Sequence, residues 1–273
     1  MSLDQAIARH YEHGSLEQAL LAAVTATGKD ANGALAHTDL SAFDEFHIGG
    51  RHATTELSSQ IDLPRGAHVL DVGSGLGGPS RFFAAERGWK IDGIDLTPEY
   101  VEVATKLSQK VGLAGSVSYR VANAAKLPFA DASFDGAYML HVGMNIPDKK
   151  SVFAEVRRVL KPGGVFAIYD IFRESDGAFL YPVPWATVPE TNFIDAFASY
   201  KTLLGEAGFK VEKERNRREA ALGYFQQVRQ LAAQGAPPRQ VAMGATAPQK
   251  AGNLAKLVAD GVVAPAEIVS CAV

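Results

Sequence analysis

The sequence predicts an α/β fold: a seven-stranded, mostly parallel sheet with helices on both faces, an antiparallel last strand and a helical lid. Three observations predict it. Between residues 68 and 172, short β-rich runs alternate with helical stretches, the pattern of repeated βαβ units. The first of those runs passes directly into a glycine-rich loop. The chain of 273 residues, 47% apolar and 21% charged, has the length and composition of one extended domain with a cover.

In order, the strands are HVLDVG (68–73), KIDGID (90–95), VSYRVA (117–122), FDGAYMLHV (134–142) and VFAIYDIF (165–172), each bounded by Gly, Pro, Asp or Asn. A helix begins near Pro79. The next is expected to open with Thr97 as cap and Pro98 in its first turn, with Tyr100, Val103, Ala104, Leu107 and Val111 facing the sheet. Residues 148–160 repeat that arrangement through Val152, Phe153, Val156, Val159 and Leu160, and Lys161-Pro162-Gly163-Gly164 turns the chain into the fifth strand.

Outside this core, residues 1–45 read as mostly helical, with Leu16, Ala19, Leu20 and Val24 on one face and a turn at 28–33. After residue 172 come a loop rich in aromatics and proline, a helix near 193–207, a strand near 209–216, helices near 217–234 and 247–260, and a final strand EIVSCAV. The segment 235–248 reads as a linker. The expected organisation is a helical cover (1–60), a cofactor-binding core (61–172), and a lid with C-terminal helices and the last strands of the same sheet (173–273).

Charge and composition exclude several functions. A net charge of -3, with 27 basic and 30 acidic residues and no basic run, provides no footprint for nucleic acid. The lone Cys271 forms no intrachain disulfide, the first residues lack a secretion-signal pattern, and no apolar run reaches the roughly 20 residues that span a bilayer. The expectation is a cytoplasmic protein acting on a small molecule, as a monomer or homodimer. No HExxH, CxxC or similar cluster predicts a metal.

The loop Gly73-Ser74-Gly75-Leu76-Gly77-Gly78 removes side chains where a nucleoside can lie against the backbone in a Rossmann-like sheet. Gly73, Gly75 and Gly78 also fit the G-x-G-x-x-G spacing of nicotinamide oxidoreductases, an alternative reading. Asp71 lies two residues before Gly73, where a carboxylate repels a diphosphate but suits an ammonium or a sulfonium. Asp95 ends the second strand, where it can accept from both ribose hydroxyls; the competing reading is a turn aspartate.

Together VLDVGSGLGGPSRFFA (69–84), the acidic end of the second strand, NAAKLPFADASFD (123–135) and RVLKPGGVFAIYD (158–170) resemble the ordered motifs of class I S-adenosylmethionine-dependent methyltransferases. The ubiquinone and menaquinone C-methyltransferases and the sarcosine, dimethylglycine and phosphoethanolamine N-methyltransferases are the similar groups. DEFHIGGRHAT (44–54) resembles the segment before the first motif in the sarcosine and dimethylglycine group. The resemblance implies S-adenosylmethionine as cofactor and S-adenosylhomocysteine as product. It places Gly73, Ser74, Gly75 and Gly77 under the cofactor, Asp95 on the ribose, Leu96 against the adenine, and Asn123 and the Ala124 amide at the ring. The commoner pattern of these families has a histidine before the Pro-Asp pair, and this chain departs from it with Asn145.

Methyl transfer from a sulfonium needs alignment and dryness more than chemistry, and a base only if the acceptor must lose a proton. His141, at the end of the fourth strand, is the candidate base; otherwise it lines the cofactor. His47 and Gly49, next to Gly50, are expected at the methionine end of the cofactor, with His47 otherwise a loop tie, and Tyr11 is expected as a further cover. Phe172, Phe179, Tyr181, Trp185 and Phe193 would either hold a cationic amine by cation–π attraction or form the lid's own core. The expected reaction is methyl transfer to a small acceptor, with amine nitrogen slightly favoured over carbon or oxygen. A cofactor-binding protein without activity is the third reading.

Overall fold

The computed structural model describes residues 3–11, 14–236 and 246–273. Most of the segment 235–248, read above as a linker, lies outside the described residues. Seven strands form one sheet: β1 (His68–Val72), β2 (Lys90–Asp95), β3 (Val117–Val121), β4 (Phe134–Leu140), β5 (Leu160–Arg173), β6 (Phe209–Asn216) and β7 (Val263–Ala272). Their order is β3-β2-β1-β4-β5-β7-β6, and β7 runs antiparallel to both β5 and β6. The predicted sheet and its antiparallel last strand are therefore present.

The central strands alternate between two cores because successive side chains point to opposite faces. On β4, Ala137 and Met139 face one core, and Tyr138 and Leu140 the other. The first core is closed by Val152, Phe153 and Val156 of α7 (Lys149–Val159) and by Tyr200 and Leu204 of α8 (Phe197–Glu206). The second is closed by Ala53 and Leu57 of α4 (Gly50–Ser58) and by Phe82 of α5 (Gly78–Phe82), which runs on as a π-helical turn through Arg87. Each fully buried Phe or Leu contributes about 1.5–3 kcal/mol, so the two faces hold the sheet rigid from both sides.

The N-terminal helices α1 (Leu3–Tyr11), α2 (Leu16–Ala26) and α3 (His37–Leu40) pack toward α6 (Pro98–Lys110), with Leu16, Leu20 and Val24 buried against Val103 and Leu107. Ala19, expected on that face, is exposed. Thr97 occupies the N-cap of α6 but makes no side-chain capping bond, and its backbone N–H donates to Asp95 Oδ1 at 2.9 Å; Pro98 takes the first turn as expected. Helices α9 (Arg218–Ala233) and α10 (Ala247–Ala259) build the lid around Trp185, Phe225, Leu254 and Leu257. No described helix is long and apolar enough to cross a membrane.

Two strands are longer than the sequence suggests. β5 starts at Leu160, so the Lys161–Gly164 stretch belongs to the strand. β7 starts at Val263, four residues before the EIVSCAV segment, and passes through Pro265.

Candidate active site

The sheet order reverses beside β1, with β2 on one side and β4 on the other. Helices on opposite faces diverge there, opening a crevice at the carboxyl ends of the strands. A cavity of about 330 Å³ occupies it, walled by the glycine loop after β1, Asp95 and Leu96 after β2, residues 122–125 after β3, and residues 140–148 after β4.

The loop needs glycine for two different reasons. Gly73 and Gly77 have φ of +77° and +74°, and an added Cβ would lie 2.5 Å from the Val142 side chain and 2.3 Å from the Tyr119 hydroxyl, respectively. These two glycines let protein approach protein. Gly75, at φ +52°, has nothing within 4 Å of its would-be Cβ, and it lines the cavity. Gly75 thus presents bare backbone to a ligand. Gly77 lies off the cavity wall, which corrects its assignment beneath the cofactor: its role is to admit Tyr119 and Arg81 behind the loop.

Asp95 faces the same wall. Its Oδ2 accepts from Gly75 N at 2.9 Å and its Oδ1 from Thr97 N, so it shapes the loop as well as lining the site. Burial raises its pKa, and the two backbone donors oppose that. Each oxygen retains a lone pair for a hydroxyl donor. Replacing Asp95 by Ala is expected to weaken S-adenosylhomocysteine binding by one to two orders of magnitude, since hydrogen bonds to a charged group contribute about 1.5–3 kcal/mol. Calorimetric titration checks this, and near-normal affinity would mean the ribose is held elsewhere.

Asp71 pairs across β1 and β4 with Tyr138. Its Oδ2 accepts from the Ser80 hydroxyl at 2.6 Å and the Tyr138 hydroxyl at 2.9 Å, and burial pushes its carboxyl up to about 7. A ligand ammonium favours the ionised form, so affinity for such a ligand should fall as pH drops below about 7, by up to about tenfold per unit. Titrations with S-adenosylhomocysteine between pH 5.5 and 8 should show this slope in the wild type and a flatter one in Asp71→Asn. An equally steep slope in the variant would remove Asp71 from the ligand's surroundings.

The remaining predicted residues separate into wall and support. Ser74, Leu96, Ala124, Asn123 and Tyr11 line the cavity. Ser74 Oγ is buried without a partner. The Asn123 amide oxygen already accepts from Ala125 N at 2.8 Å, and its Nδ2 donates to Asp4 of α1, so only the second lone pair of that oxygen is left for an adenine. The Tyr11 hydroxyl donates to Asn145 Oδ1 at 3.0 Å, fastening α1 across the cavity mouth to the turn after β4.

His47 lies within 3.0 Å of both Gly50 O and Thr54 Oγ1, and burial lowers its pKa to about 4. It is a neutral tie for the strap 44–49 that also touches the cavity. Gly49, placed by the sequence reading at the cofactor, is instead the N-cap of α4, at φ +87° and off the cavity wall. The strap is anchored by a buried pair, Asp44 Oδ2 to Arg81 Nη2 at 2.7 Å, with Arg81 also donating to Leu76 O and Ser108 Oγ.

His141 has φ +54°, a left-handed conformation that costs a non-glycine residue about 1–2 kcal/mol. Its N–H continues the ladder to Tyr169 O at 2.7 Å, and the ring lies between those of Tyr169 (4.8 Å) and His47 (5.8 Å). Nε2 is buried with no hydrogen-bond partner, and burial holds the ring well below the usual histidine range. The strained turn is locked behind by Asp170, whose Oδ2 accepts from Gly143 N and the Tyr200 hydroxyl.

Apart from Trp185, the lid wall was not legible in the sequence. It comprises Ile48, Met144, Trp185, Phe225, Lys250 and Leu254. Of the five aromatics singled out, only Trp185 reaches the cavity. Phe172 packs on Phe197 and Tyr200 in the sheet core, and Phe179 and Tyr181 stack on each other in the lid.

A doubly wound sheet with a nucleoside-sized crevice at its switch point defines an α/β cofactor-binding enzyme class. The methyltransferase domain family matches residues 70–168, from β1 into β5. The chain is 33% identical over 171 residues to the O-methyltransferase rstn1 of Aspergillus nomiae, covering 62% of this chain and 75% of that protein. The methyltransferase GfsG of Streptomyces halstedii is 32% identical over 173 residues, and the match spans 62% of each protein. Among solved structures, the geranyl diphosphate C-methyltransferase of Streptomyces coelicolor A3(2) shares the fold over 100% of this chain and 99% of that one, with a TM-score of 0.72 at 16% identity. The chain belongs to the class I S-adenosylmethionine-dependent methyltransferases. The oxidoreductase reading of the glycine loop falls with that finding.

Proposed function

We propose that this protein transfers a methyl group from S-adenosylmethionine to a small, largely apolar acceptor enclosed beneath the lid. The observation that carries the reading is one cavity with two ends. One end has bare backbone at Gly75 facing a carboxylate at Asp95. The other is an apolar chamber walled by Trp185 and Leu254, and His141, whose Nε2 has no hydrogen-bond partner, is part of the same cavity wall. These residues fit the cofactor: Asp95 suits vicinal hydroxyls, Leu96 and the Asn123–Ala124 turn suit a flat ring, and Asp71 suits an ammonium. When bound, the cofactor supplies an electrophilic methyl group on a cationic sulfur.

The chain's own part is to bind, orient and keep dry. The strap 44–49, α1 and the lid helices close the chamber, which aligns a nucleophile and excludes water. His141, neutral at physiological pH and with Nε2 free, is placed to accept a proton from an acidic O–H or C–H. The sequence leans toward an amine nitrogen, but a protonated amine needs an unengaged carboxylate. The carboxylates on this wall already hold partners, so we favour oxygen or an acidic carbon as the methylated atom.

Incubation with methyl-labelled cofactor and a panel of phenols, enols, quinone precursors and small amines tests the reading. Labelled phenols or enols are the expected products. Product only from amines would reverse the preference, and tight S-adenosylhomocysteine binding without any product would favour a binding protein that has lost its activity.

A further inference from the structure

The carboxylates of the cavity wall are each engaged. Asp44 pairs with Arg81, and Glu45 with Arg51 and Thr54. Asp71 is held by Ser80 and Tyr138, and Asp95 by two backbone amides. Asp148 caps α7, and Asp4 holds Asn123. The wall also carries a cation with no such partner. Lys250 on α10 is 6% exposed and lines the cavity one helical turn before Leu254, yet its side chain makes no hydrogen bond or ion pair among the described residues. Burial alone draws its ammonium below the usual lysine range, and no neighbouring charge enters.

An ammonium held in a cavity wall without a protein partner is left incompletely hydrated, and an anionic oxygen entering the cavity would complete it. The lid residues that share this wall, Leu254, Phe225 and Trp185, are apolar. We propose that Lys250 is the specificity-determining residue of the acceptor site, selecting apolar molecules that carry an anionic oxygen, either a carboxylate or an ionised phenol or enol. This rests on the methyltransferase reading of the same cavity and adds the charge of the acceptor to it. An anionic oxygen in contact with Lys250 would turn the acceptor's orientation into a fixed one, with its other end toward His141.

Three probes of one shape and different charge test the assignment: 2-naphthoate, 2-naphthamide and 2-naphthylmethylammonium. Each is titrated into the full chain saturated with S-adenosylhomocysteine. Wild type should bind naphthoate at least about tenfold tighter than naphthamide, and the ammonium probe weakest, as expected for hydrogen bonds to a charged group. Lys250→Met should abolish the naphthoate advantage while leaving naphthamide within about twofold, and Lys250→Arg should retain it. Equal affinity for naphthoate and naphthamide in the wild type, no binding of naphthoate, tightest binding of the ammonium, or an undiminished advantage in Lys250→Met would each overturn the proposal. S-adenosylhomocysteine affinity is measured on the same samples. Its loss in the wild type would remove the methyltransferase site itself, whereas its retention beside a charge-blind chamber would remove only the role of Lys250.

Discussion

Replacing His141 by Asn is expected to lower turnover by about 10²–10⁴-fold while leaving S-adenosylhomocysteine affinity within a few-fold, the range for loss of a positioned proton acceptor. Asparagine is the informative substitution. It tolerates the left-handed backbone that His141 adopts at φ +54°, so the turn into Gly143 survives and the loss reports on the imidazole. The geometry behind the effect is specific. Nε2 is buried and unpartnered, the ring is pinned between Tyr169 and His47, and burial holds it neutral, so its lone pair stays unprotonated throughout the physiological pH range while the same burial makes it a weaker base. Single-turnover rates with labelled cofactor check the prediction. An unchanged rate would reduce His141 to a wall residue whose strain serves only the turn.

Arg81→Met should be the most damaging change to the fold near the site. Arg81 and Asp44 are both fully buried, and removing one partner leaves the other charge stranded, at a cost of about 3–5 kcal/mol. For a chain of this size that corresponds to a drop in Tm on the order of 10 °C. The same guanidinium grips Leu76 O inside the glycine loop and Ser108 on α6, so S-adenosylhomocysteine affinity should fall together with stability. The double variant Asp44→Leu/Arg81→Met removes the stranded charge and should recover part of the Tm but not the affinity, because the strap and loop lose their common anchor. Thermal unfolding with and without S-adenosylhomocysteine separates the two effects. A single variant as stable as the wild type would show that the pair is not coupled to the loop.

The sheet was legible because its strands are short apolar runs bounded by Gly, Pro and Asp, and because both faces of β1, β4 and β5 are buried. The missed strand starts have a physical cause. Pro265 looks unlike strand interior, but it lies in β7 opposite Ile171 of β5, where the antiparallel pairing carries the strand through it. Pairing that depends on residues far away in the chain leaves no local signature. The glycine loop was read correctly as a loop, yet spacing cannot tell a glycine facing a ligand from one facing protein. Gly75 is the first kind and Gly77 the second, and only the position of Tyr119 distinguishes them. The acceptor wall was the least visible part. Lys250 sits amid polar and small residues in α10, and which helical face meets the cavity is decided by tertiary packing of α9, α10 and Trp185.

The account depends most on what the crevice after β1 holds. Calorimetric titration of the purified chain with S-adenosylhomocysteine and, separately, with NAD⁺ and NADH tests it directly. One molecule of S-adenosylhomocysteine should bind per chain, weakened by Asp95→Ala, with no heat from either dinucleotide. Saturable binding of NAD⁺ or NADH in the absence of any S-adenosylhomocysteine binding would contradict the account.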